Sequence, residues 1–251
     1  MARALDPTAI AGPGRMTLPA LCLGSFITTL AFVAPAPFLP AMSDDLGVGV
    51  ALLGQITTVM MVLSGALALV VGPLADRFGA RRFILAGLAA TAIALYDFGL
   101  APVFAALVIA SIAGAVAEAT VPGLSLAIAG SRFSGPAARR ARGWTVGALA
   151  SAPIIGGPLL PPVGDLAGWR VAFLLAGFAA AVCVVLVALW LPVDTPAGDD
   201  APEWTGMLDA YRPLLRDTGM RRLFACTLTR SLCWLGLLTY YGAMLEEQYG
   251  M

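Results

Sequence analysis

Seven stretches of the chain stay apolar over a length that suits a lipid bilayer: residues 17–40, 50–72, 82–101, 103–130, 145–163, 170–192 and 222–243. A hydrocarbon core of roughly 30 Å is crossed by about 20 helical residues, so each stretch predicts one transmembrane helix. Lipid offers no partner for backbone N–H and C=O groups, and a helix satisfies its own. Polar residues collect between the stretches, and the one extended polar segment, 193–221, separates six spans from the seventh. Within it Met207, Leu208, Tyr211, Leu214 and Leu215 recur at helical spacing, which predicts a short interfacial amphipathic helix interrupted near Pro213. The expected organisation is a tail over 1–16, a six-span bundle over 17–192, a linker over 193–221, and a seventh span opening a second bundle over 222–251.

Arginine placement orients the chain. With the N-terminus in the cytoplasm, Arg3, Arg15, Arg77, Arg81, Arg82, Arg132, Arg139, Arg140, Arg142, Arg212, Arg216, Arg221 and Arg222 all fall on that side. Only Arg170 falls outside, and Arg230 lies within the seventh span. Arg3 and Arg15 before an apolar run resemble a secretory leader, but the run is too long and Pro37 would follow the cut, so it reads as a retained span.

Composition agrees with this reading and removes several chemistries. The chain is 59% hydrophobic and 12% charged, where soluble domains run about 45–50% and about 25%. There is no His, which excludes the usual general base and most zinc chemistry; no metal or other cofactor is expected. Fifteen basic residues, all Arg, balance fifteen acidic ones and leave no surplus for nucleic acid. Arg without Lys, in an Ala-rich chain, points to a GC-rich bacterial genome and a plasma-membrane location. Cys22, Cys183, Cys226 and Cys233 lie in apolar runs without a C-x-x-C pair, so they read as small buried thiols. No phosphate-binding G-x-x-x-x-G-K-[ST] loop is present, and the chain does not read as an enzyme.

Two loops match each other. D-R-F-G-A-R (Asp76 to Arg81) follows span two, and D-L-A-G-W-R (Asp165 to Arg170) follows span five. Each sits between the second and third members of a three-span unit. Because three is odd, the copies face opposite sides of the membrane, as an inverted-topology repeat requires.

The segment GPLADRFGARR resembles the loop between spans two and three of the major facilitator superfamily, with Gly72, Asp76, Arg77, Gly79, Arg81 and Arg82 at the matching places. Gly72 and Gly79 are expected to permit a tight turn. Asp76 is expected to cap or face a helix N-terminus, and the arginines to pair with acids or lipid phosphates. In span five, Pro153, Gly156 and Gly157 are similar to the antiporter branch's motif, with Ala148 and Ala152 at two of its glycine positions. Trp169, Arg170 and Phe173 match its g-W-R-x-x-F at the start of span six.

In span four the branch often carries an Arg four residues before a Gly. Here that position, before Gly114, is Ala110. Glu118 lies near the middle of the same span, where an ionisable group is costly enough to suggest function. It shares a stripe with Ser111, Gly114, Pro122 and Ser125, which predicts a face turned to a cavity. Arg230 is its expected partner, at a depth that differs by roughly 6 Å. Asp97 reads as interfacial. Ser25, Thr28 and Thr29 of span one could contact substrate or bond back to helix carbonyls.

The resemblance runs from Leu18 to Gly250 and implies an all-α integral membrane fold: a six-helix bundle built as a 3+3 inverted repeat, plus one helix of a second bundle. It implies secondary transport of a small molecule, driven by protons as efflux through alternating access, with substrate, protons and the bilayer as partners. The competing expectation is a chain truncated after span seven: a non-transporting fragment, or a half-unit completed by a missing second half or by a homodimer.

Overall fold

The computed structural model describes residues 14–193, 216–230 and 233. The chain divides into two units, Met1–Asp199 and Asp200–Met251. In the second, residues 218–230 are helical and almost wholly exposed, and Arg230 stands on this helix. The amphipathic segment near Pro213 and the rest of the seventh span lie outside the described residues.

The first unit is helical throughout: α1 (Thr17–Val33), a 3-10 turn (Ala36–Phe38), α2 (Leu39–Leu46), α3 (Val50–Phe78), α4 (Ala80–Leu100), α5 (Phe104–Ser131), α6 (Gly135–Ala167) and α7 (Trp169–Trp190). Six helical segments among the described residues are long and apolar enough to cross a membrane, the first being Thr17–Leu46. That matches the expected six-span bundle. Several boundaries differ from the sequence reading, span two running on to Phe78 and span five to Ala167. Span one is prolonged by α2 to Leu46. Span five begins at Gly135, so Arg139, Arg140 and Arg142 stand on α6 instead of in a loop. The Arg142 guanidinium lies over Gly130 of α5, where the missing Cβ leaves room for it.

Helices α1, α5 and α4 form the centre. α1 packs against α4, α5, α6 and α7, and α5 against α1, α3, α4 and α6. By contrast α3 buries only Leu53, Ile56, Met60 and Ala75 along its 29 residues. Large apolar side chains such as Val62, Ile109, Ile154 and Leu189 remain exposed, which is the surface a lipid-facing bundle presents.

Lipid tails are as apolar as leucine, so helices in a membrane associate through close packing over small residues. Gly24 of α1 is the meeting point of three helices: a Cβ there would touch Leu88 of α4 at 3.5 Å and Val121 of α5 at 3.6 Å. At Gly87 of α4 a Cβ would overlap Thr120 and Val121 of α5, and at Gly156 of α6 it would overlap Leu30 of α1. Thr28 and Thr91 add a buried hydroxyl pair at 3.2 Å between α1 and α4.

Crowding therefore sets different costs for one substitution at two glycines. Gly87→Ala meets two β-branched side chains and should lower the melting temperature of the purified protein, the overpacking cost of about 1–3 kcal/mol outweighing the gain in helix propensity. Gly54→Ala in α3 meets nothing within 4 Å and should leave the melting temperature unchanged or raise it.

Candidate functional site

Glu118 stands near the middle of α5. Its Oε2 is buried and has no hydrogen-bond partner. A carboxyl oxygen unpartnered at this depth is costly to a bundle, although Glu118 as a whole stays partly exposed. The stripe it shares is not turned to an open cavity, as its small and polar residues suggested. Ser111 and Ser125 are wholly buried, and Gly114 is covered by the Met60 side chain of α3. The exposed face of α5 carries Ala105, Ile109, Ile112, Gly123 and Ala127. Small residues bring neighbouring helices close, so the stripe is packed inward and holds its acid inside the bundle. Ala110 is fully buried on the same helix.

One apolar void lies beside this region, lined by Thr28, Phe32, Met60, Thr91, Phe98 and Gly114 among others, with space for about one water. Glu118 does not line it. Arg230 belongs to the second unit, where its helix is exposed.

The two matching loops take the same shape. Gly79 joins α3 to α4 at φ 95° and ψ 126°, and Gly168 joins α6 to α7 at φ 88° and ψ 153°. Side chains strongly disfavour that backbone region, so glycine is required at both corners. The turn is this single residue in each copy. Gly72, expected to help form it, is helical within α3. Asp76 does not cap α4 either: it is exposed in the last turn of α3, and Gly79 is the N-cap, with no side-chain hydrogen bond. Arg77 sits 5.4 Å from the centre of the Phe78 ring, and Arg82 is exposed.

The arginine that ends each motif binds a helix end. Arg81 donates from Nε to the carbonyl of Leu191, the C-cap of α7, at 2.8 Å and from Nη2 to the carbonyl of Ala188 in its last turn at 2.7 Å. Arg170 donates from Nη1 to the Ala101 carbonyl, the C-cap of α4, at 2.7 Å. Its Nε and Nη2 reach one oxygen of Asp45 on α2 at 3.1 and 2.8 Å. The last carbonyls of a helix have no partner within it, and a guanidinium fork supplies donors to them. Thus the Arg opening α4 caps α7, and the Arg opening α7 caps α4.

Around Arg170 the far end of the bundle is aromatic. Its guanidinium lies 4.5 Å from the Trp169 ring. Phe173, 1% exposed, stacks on Phe98 at 5.4 Å and tilts against Phe38 at 5.7 Å. In α6, Pro153 is exposed within a continuous helix that also contains Gly157, and Gly156 takes Leu30.

A family model described as the Major Facilitator Superfamily matches residues 21–251. The chain belongs to this superfamily. It is therefore a multi-pass membrane transporter, a family role that is not enzymatic. Among curated proteins none matches the sequence. Sequence reasoning about this superfamily member located Arg81 and Arg170 as a repeated pair but missed their carbonyl partners, which lie 69 to 110 residues away along the chain. It also missed Asp45, which carried no signal beyond its charge.

The two kinds of contact should separate in stability measurements. Arg81→Gln removes charged donors from two carbonyls and should cost about 1.5–3 kcal/mol in denaturant titration. The Asp45–Arg170 pair is 46% and 36% exposed, so a double-mutant cycle with Asp45→Asn and Arg170→Gln should return a coupling below about 1 kcal/mol.

Proposed function

We propose that this transporter couples the movement of a small molecule out of a bacterial cell to protons moving inward, with Glu118 as the proton-carrying group. The observation that carries the reading is the Glu118 Oε2, buried near mid-membrane without a partner. A carboxyl in this position can be neutral when one access state closes and charged when another opens, which is the alternation that coupling needs. Pro153, Gly156 and Gly157, with their likeness to the antiporter branch, favour export. The arginine count supports a plasma-membrane orientation with the Thr17 end of the bundle toward the cytoplasm. Arg230 is the second candidate coupling residue, proposed from its place in an apolar run. Gly72, Asp76, Arg77, Gly79, Arg81 and Arg82 are proposed as a structural motif at the cytoplasmic end, in which Gly79 makes the corner and Arg81 ties α4 to α7, with no chemistry of their own.

The protein reconstituted in proteoliposomes, with a pH-sensitive dye trapped inside, tests this with a panel of lipophilic cations and neutral metabolite-like solutes. At least one solute should move against its gradient when a pH gradient is imposed, with matching proton flux. Glu118→Gln should lower that driven flux at least about tenfold while leaving solute exchange at equal pH intact. Gradient-independent behaviour of the native protein with every solute would overturn the reading in favour of a non-transporting scaffold.

A further inference from the structure

Two clefts open at the end of the bundle that carries Arg170. One is lined by Asp44, Asp45, Trp169 and Arg170 and belongs to the Asp45–Arg170 ion pair. The other lies between the last turn of α4 and the first turns of α5, with room of about 230 Å³. Its walls are Leu100, Ala101, Pro102, Ala106 and Ile109, all apolar, and Asp97 is the charged group among them. Leu100 and Ile109 are 65% and 64% exposed, on a surface that a membrane bundle turns to lipid. The groove therefore opens toward the hydrocarbon, and Asp97 stands about 4.5 Å from the level where α4 ends.

The acid has nothing in the protein to balance it. Asp97 is half-buried and, among the described residues, has no ion-pair or hydrogen-bond partner. It sits in the last turn of α4, which holds no basic residue. A helix ends at the negative pole of its dipole, so a carboxylate there is disfavoured and a cation is drawn in. Arg170 does not line the groove, and its guanidinium is engaged by Asp45 and the Ala101 carbonyl. Two negative features thus meet in an apolar recess.

We propose that this groove binds a monocationic amphipathic amine, its ammonium on the Asp97 carboxylate and its alkyl chain along Leu100, Ala106 and Ile109 into the surrounding lipid. The site is independent of the role assigned to Glu118. Its lining selects the ligand. A divalent metal ion takes several oxygen donors, and among the described residues no group of three acids, cysteines or histidines could supply them. An anion would meet the carboxylate. A zwitterionic phospholipid would bring a phosphate, for which the groove has no basic side chain. Pockets that enclose a whole ligand run roughly 300–1,000 Å³, so a groove of this size suits a small headgroup and the first methylenes, with the rest of the chain in the bilayer.

The full chain in phosphatidylcholine nanodiscs tests this with two probes, dodecylamine and dodecanol, each carrying a nitroxide at the tail. Electron paramagnetic resonance reads the motionally restricted fraction of each probe. The amine's fraction should exceed the alcohol's by about fivefold, the upper range of selectivity that one ion pair near the water boundary provides. Asp97→Asn, which removes the charge and keeps the size, should bring the two probes level. Asp44→Asn, at an exposed acid outside the groove, should leave the selectivity unchanged. Where Asp97→Asn fails to fold, Ala106→Phe fills the groove, keeps the acid and should likewise abolish the amine's excess. Equal fractions for the two probes in the native protein, or an excess that survives Asp97→Asn, would overturn the proposal. Loss of the excess when phosphatidylethanolamine replaces part of the phosphatidylcholine would also overturn it, assigning the groove to a lipid headgroup instead of a free amine.

Discussion

A polar group in the hydrocarbon core has no water to fall back on, and this bundle is organised around that shortage. Along the middle of each helix the backbone satisfies itself, so the shortage concentrates at helix ends and at buried side chains. At the ends, Arg81 and Arg170 supply donors to the last carbonyls of α7 and α4. In the middle, hydroxyls bond back to their own helix or, like Thr28, to a neighbouring one, and among the described residues the buried side-chain oxygens left without a partner lie with Glu118 on α1 and α5.

The inverted repeat gives these solutions their symmetry. Each copy of D-x-x-G-x-R forms a one-residue corner at a glycine with positive φ, and each then sends its arginine to the other copy's third helix. The copies are not equivalent beyond that. Arg170 also takes Asp45 and lies on Trp169, beside a cluster of phenylalanine rings, whereas Arg81 reaches two successive carbonyl positions of α7. One end of the bundle is closed by aromatic packing and an exposed ion pair, the other by hydrogen bonds to backbone.

The number, order and approximate limits of the first six spans were readable from apolar run length alone, since the bilayer imposes a minimum that sequence must meet. The start of α6 was not, because Arg139, Arg140 and Arg142 resemble a loop by composition while Gly135 and Pro136 begin a helix well before the apolar run. Glu118 was conspicuous as an acid in an apolar span, but the direction of its stripe was misread. Small and hydroxyl residues mark either a cavity wall or a tight helix contact, and only the position of Met60 over Gly114 distinguishes them. The unsatisfied hydroxyls of α1 could not be told from back-bonded ones, since both have the same residue types at the same spacing.

The crossed arginine caps also bear on how the protein is made. Arg81 meets its acceptor at Leu191 across 110 residues, and the Ala101 carbonyl waits 69 residues for Arg170. Neither end of α4 can acquire its final partners until α7 has entered the membrane. The last of the six spans to be made thus brings the acceptors for Arg81 and the donor for the Ala101 carbonyl, and its insertion completes both ends of α4 together.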